Sequence, residues 1–333
     1  MAAGADHLAL TVLLSNVLSL GMLTLVLFFG ASGLAYLIKK SFSLTLPLFC
    51  MALILIMYGF ALSGYLEYGF YVVATLSLVL GCLAIYGLTV ATDRHEYRSH
   101  IFNYGLLAFC LFALMTLVLN FGREVTRTDD YNYWALSVRQ MMLYKDLVAR
   151  HPESVAFGLV KPPATSLFQF FFMRLDGVYS EFSLFASLQM LTYAFLLPLF
   201  DTVKKNPLRF FTLLMFLPGF LMALQFSGQP SPFSTLVIDL LVAVVTGFGL
   251  FVITHLDYSI RFKASVLLPL VAILILQKDT GIMLVAILVV AAIAQGFFSR
   301  RDPGTRHPAQ YIGITVMMVV VAALSLLSWR TVI

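Results

Sequence analysis

The stretch VLLPLVAILILQKDTGIMLVAILVV, Val266–Val290, decides the fold. Two apolar runs meet at Lys278, Asp279 and Gly281, and neither run carries another charge. A helix needs about 20 apolar residues to cross a bilayer. The second run reaches that length, whereas the first offers only about a dozen residues before the charges, which suits a tilted span or one arm of a re-entrant hairpin. An ionisable pair at or near membrane depth carries a functional expectation. The plainer alternative is a self-neutralising Lys278–Asp279 pair at a helix end.

The rest of the chain has the same texture. Its 333 residues are 61% hydrophobic and 11% charged, with a mean hydropathy of +0.95. Soluble domains are about 45–50% apolar and about 25% charged. This is the composition of an all-α, multi-pass membrane protein. Ten apolar segments are expected, at 8–38, 42–63, 69–91, 101–121, 182–200, 208–226, 235–254, 264–276, 281–298 and 310–328. Cys50, Cys82 and Cys110 fall inside apolar runs and have no metal or disulfide spacing, so they act as small hydrophobes. The N-terminus has Asp6 and lacks a basic leader region, so the first run is expected to be a permanent span. The end at Ile333 is read as leaving a continuation open.

Charge sets the expected orientation. Lys39 and Lys40 follow the first segment, Arg94 and Arg98 the third, and Lys204, Lys205 and Arg209 the fifth. Arg261 and Lys263 follow the seventh, and Arg300, Arg301 and Arg306 the ninth. Every second connection is basic, as cytoplasmic connections are. The N-terminus and residues 122–181 are then non-cytoplasmic. Three regions follow: four spans over 1–121, a long loop over 122–181 and six segments over 182–333. The loop carries seven Lys/Arg and seven Asp/Glu, and loops this long tend to carry function. Within it, TSLFQFFFMRL, 165–175, is too short to span. It is expected to lie in the membrane interface or, alternatively, to be a buried piece of the loop.

The loop opens with TRTDDYNYW, Thr126–Trp134. Adjacent carboxylates repel when both are charged, which raises one pKa and suits a proton acceptor. Tyr131, Tyr133 and Trp134 are aromatics of the headgroup level and also suit the C–H faces of sugars. Alternatively, Thr128 or Asp129 caps a helix starting near Tyr131. Further on, GLVKPPATSLFQFFF, Gly158–Phe172, stiffens the backbone with Pro162 and Pro163. Lys161 is thereby presented at the membrane surface, to pair with a lipid phosphate or simply to snorkel. Phosphate-binding loops, dinucleotide fingerprints, nucleophile elbows and His/Cys metal spacings do not occur, and nothing points to nucleic acid.

TDDYNYWALSVRQM followed by KPPATSLFQFFF resembles the outer-loop pattern of bacterial polytopic glycosyltransferases of the GT-C superfamily. There an acidic pair leads to a tryptophan, and a Tyr-Pro-Pro-Gly turn precedes an aromatic stretch. Asp129, Asp130, Trp134, Pro162 and Pro163 match. DLLVAVVTG from Asp239 and LQKDTGIML around Lys278 resemble later segments, so the likeness covers roughly 120–300. The second acid here is Asp rather than Glu, and Lys161 and Ala164 replace the tyrosine and glycine. The resemblance implies sugar transfer from a polyprenyl-phosphate donor to an acceptor hydroxyl of a glycan, lipid or protein, with inversion or retention. It implies Asp129 as general base, with Asp130 either tuning Asp129 or holding the acceptor sugar. Lys161, Lys278 and, more weakly, Arg127 would meet the leaving phosphate, with Tyr133 and Trp134 at the sugar, in a bacterial inner membrane. Some such enzymes use a divalent metal, but no third ligand accompanies the carboxylates here. The alternatives are a transporter or flippase of lipid-linked or small polar substrates, and a catalytically inactive assembly subunit.

Overall fold

The computed structural model describes residues 2–151, 161–203, 206–226, 235–255, 258–298 and 308–333. All regular structure among them is helical: α1 (Ala2–Ile38), α2 (Phe42–Leu62), α3 (Leu66–Thr89), α4 (Arg94–Ile101), α5 (Tyr104–Asn120), α6 (Leu136–Tyr144), α7 (Ala164–Asp176), α8 (Glu181–Leu196), α9 (Pro207–Phe226), α10 (Asp239–Thr254), α11 (Ile260–Gln277), α12 (Gly281–Phe298) and α13 (Pro308–Arg330). Every predicted apolar segment falls on a helix. Among the described residues, seven helices are long and apolar enough to cross a membrane, and α4 with α5, bent by 44°, makes an eighth if the pair is one span. The protein is an all-helical, multi-pass membrane protein.

Local chemistry sets the helix starts. Ser41, Asn103, Ser180 and Ser259 each accept a hydrogen bond from the backbone N–H three residues on, the standard N-cap of α2, α5, α8 and α11. Ser259 also explains why α11 is longer than predicted. Arg261 and Lys263 look like connection residues in the sequence, but the helix takes them in. Lys263 is buried and donates to the Ile253 carbonyl at 2.7 Å and to the Tyr311 hydroxyl at 3.4 Å. A lysine on the last carbonyls of a helix satisfies groups that have no partner within it. With 18 residues, α11 is long enough to span.

The core centres on α8, which packs against α1, α2, α5, α7 and α10. Lipid gives no hydrophobic drive for helix pairing, so close backbones and polar contacts hold membrane helices together. Both occur here. A Cβ on Gly33 of α1 would fall 2.1 Å from the Leu80 carbonyl oxygen of α3, so only glycine permits that approach. Buried Asn120 of α5 donates to Gln189 of α8 at 2.7 Å, and Gln189 donates back at 3.0 Å.

The connections gather at two ends. At one, Lys39 lies 3.8 Å from Asp93, Ser41 donates to Asp201, and Lys40 sits over the rings of Tyr258 and Phe262. At the other, the Val125 N–H donates to Glu181 at 2.6 Å and Tyr58 bonds Ser328 at 3.0 Å. Lys204, Lys205, Arg300, Arg301 and Arg306 lie outside the described residues.

The loop helix α7 departs from the interfacial expectation. Every residue from Ala164 to Met173 is buried, against α2, α6, α8 and α11. Its aromatic run is buried on every side, so α7 is the buried piece of loop that the residues also allowed.

The amide pair yields a test of this packing. Asn120→Leu or Gln189→Leu alone should destabilise the protein by about 1–2 kcal/mol, because the surviving buried amide loses its hydrogen bonds across the helix pair. The double replacement should cost less than the sum of the two. Unfolding midpoints of the three variants in detergent check this.

Candidate functional site

Thr128 and Asp129 begin a helix that winds as a π-helical turn over Asp130–Ala135 before continuing as α6. Single π turns inside α-helices are uncommon and recur at functional sites. This one falls on DYNYWA, the stretch with both acids and aromatics. The turn splits the acids. Asp130 is buried, with 1% of its surface exposed, whereas Asp129 is exposed. Asp129 makes no side-chain capping bond, so the capping alternative does not hold for it.

Asp130 is anchored. Its carboxylate accepts from the Thr235 hydroxyl at 2.7 Å and from the Leu236 backbone N–H. Burial raises its pKa. The hydrogen bonds from Thr235 and Leu236 oppose that rise, as does the positive charge of Arg127. Thr235 also accepts from the Val237 N–H at 3.1 Å, which fixes the hydroxyl that holds Asp130. Arg123 faces the same carboxylate. It lies 5.0 Å over the Phe185 ring, and its pKa falls through burial and the neighbouring charge of Arg127.

Two sequence-predicted groups come together here. The Lys161 ammonium sits 5.3 Å from the Tyr133 ring centroid, a cation–π contact. Both belong to the stretches that carry the resemblance, and they lie 28 positions apart. Trp134, next to Tyr133 in sequence, is buried, and Arg127 is exposed.

Lys278 behaves differently from expectation. It pairs with Asp239, not with its neighbour Asp279. At Lys278, just past the end of α11, the backbone is extended, and Asp239 opens α10. Lys278 therefore belongs to a contact between helix ends, and Asp239 already takes its charge. The segment from Thr235 to Asp239 binds Asp130 at one end and Lys278 at the other.

Sequence reasoning missed Thr235 and Arg123, and it named Asp239 only as the start of a resembling segment, without its pairing to Lys278. Asp239 carried a signal, since an acid at the start of an apolar segment can answer a lysine at the end of another. Thr235 carried none, because a lone threonine before a span has no distinguishing pattern.

The Asp130 carboxylate accepts from Thr235 and Leu236, and among the described residues no three His, Cys, Asp or Glu gather into a group that could hold an ion.

No protein-family model matches the chain, and neither a curated protein nor a solved structure matches it.

The raised pKa of Asp130 has a consequence for stability. The folded protein holds this proton more tightly than the unfolded chain does, so stability falls as pH rises above the ordinary value of 3.8. Asp130→Asn keeps an acceptor for Thr235 and Leu236 and cannot ionise. The unfolding midpoint of wild type should decline more steeply with rising pH across the acidic range than that of Asp130→Asn. Equal slopes would rule out this role for Asp130.

Proposed function

We propose that the protein is a glycosyltransferase that moves a sugar from a polyprenyl-phosphate-linked donor to an acceptor hydroxyl at the membrane surface. The observation that carries this reading is the split acidic pair: Asp129 exposed beside Asp130 anchored, on a π-helical turn. A general base must reach substrate, and a fixed neighbour holds it in place. The Lys161–Tyr133 contact supports the reading, because it draws the two resembling stretches into one place.

In the proposed reaction the acceptor oxygen attacks the anomeric carbon and its proton passes to Asp129. The bond from that carbon to the phosphate oxygen breaks, and the phosphate leaves with the electron pair. Asp130 positions Asp129 and does not take the proton. Lys161 and Arg127 meet the charge on the leaving phosphate, where cations contribute most in a water-poor site. Lys278 ranks below them, since Asp239 neutralises it. Tyr133 and Trp134 offer faces for the sugar.

The finer topology belongs to the same proposal. Ten spans cross a bacterial inner membrane, the basic connections face the cytoplasm, and residues 122–181 face outward with both substrates. The transporter alternative draws its sign from charges at a broken helix. Here Lys278 and Asp239 stand at the ends of two helices and pair with each other.

Asp129→Asn should lower transfer about 10²–10⁴-fold, the usual contribution of a positioned base. Lipid-linked saccharides of a deletion strain, complemented with wild type or with the variant, are measured by mass spectrometry. The wild-type gene should restore the product and the variant should not. Full restoration by Asp129→Asn at equal protein level would remove Asp129 as the base.

A further inference from the structure

A groove of about 390 Å³ runs between α1 and α3, with α7 as its floor. Leu25 and Phe29 line one wall, Leu78 and Cys82 the other, and Phe171 and Leu175 lie beneath. The volume is that of a small-ligand site. The chemistry of the lining narrows the occupant. The only hydroxyl in the lining, Ser77, donates to the Val73 carbonyl at 2.8 Å, so it has no proton left for a ligand. Both walls are helices long and apolar enough to span, and Leu25, Leu78 and Ile85 on them are exposed. What meets such a groove sideways is hydrocarbon chain.

One end of the groove is charged. Glu67, seven residues before the lining residue Ala74 on α3, lies about 10 Å further along the helix. It holds two cations, Lys145 at 2.9 Å and Arg174 at 2.5 Å. Two cations on one carboxylate leave a positive charge over. Among the described residues the Arg174 Nε has no hydrogen-bond partner. Arg174 also lies 5.9 Å from the Phe70 ring centroid, and Phe70 packs on Phe171, the groove floor, at 5.6 Å. The cationic cluster and the groove are thus joined through two rings. This place is distinct from the candidate site, since Lys161 precedes α7 and Arg174 closes it.

We propose that the groove holds one acyl chain of an anionic phospholipid, whose phosphate rests against Arg174 and Lys145. The apolar lining takes the chain, and the excess positive charge selects the headgroup.

The full-length protein in nanodiscs of equal phosphatidylglycerol and phosphatidylcholine tests this by native mass spectrometry. Wild type should retain one phosphatidylglycerol with a preference of about five-fold over phosphatidylcholine, the effect of one basic contact at about 1 kcal/mol. Gly81→Leu and Cys82→Phe each fill the groove and should lose the retained lipid. Cys82 is exposed, so its variant keeps the fold even if the first does not. Lys145→Gln should retain lipid without headgroup preference. Equal retention of both lipids by wild type would overturn the proposal. So would undiminished retention by a folded groove-filled variant, or displacement of phosphatidylglycerol by an equimolar isoprenoid phosphate.

Discussion

The buried carboxylate of Asp130, held by the Thr235 hydroxyl and the Leu236 N–H, is the contact on which the rest of the arrangement depends. A buried polar group without partners is costly, and hydrogen bonds to a charged group contribute about 1.5–3 kcal/mol each. The constraint acts in two directions. Toward its own helix it seats the π-helical turn, which leaves Asp129 outside. Toward the bundle it fixes the segment before α10, and with it Asp239 and its partner Lys278. One anchored acid thereby joins the long loop to the ends of two distant helices.

The burial of α7 follows the same logic at larger scale. A short aromatic helix with no long polar face has two places to go, the interface or the protein interior. Here α2, α6, α8 and α11 enclose it. Gly177, at a positive φ of 74°, then turns the chain into α8. The loop therefore folds into the helical core, and its two functional stretches are held by packing. This is what allows Lys161 to meet Tyr133.

Much of the fold was legible in the sequence, because spanning helices are written in long apolar runs. The positions of α1, α2, α3, α5 and α8–α13 follow from hydrophobicity alone. Three things were not legible. The start of α11 was missed because Lys263 looks like a surface residue until its partners Ile253 and Tyr311 are known. The surroundings of α7 were open because an apolar face does not say whether lipid or protein will cover it. The pairing of Lys278 with Asp239 was hidden because the nearest acid in sequence, Asp279, offers an easier explanation. At the candidate site the acidic pair was visible, whereas its division of labour was not. That division depends on Thr235, 105 residues away from Asp130.

The central claim is that adjacent acids have unequal access: Asp129 open, Asp130 sealed. Carbodiimide labelling of carboxylates in nanodisc-embedded protein, resolved residue by residue by tandem mass spectrometry, measures that access directly. Asp129 should label fast and Asp130 should stay protected until the protein unfolds. Equal labelling of both acids in the folded protein would contradict the account.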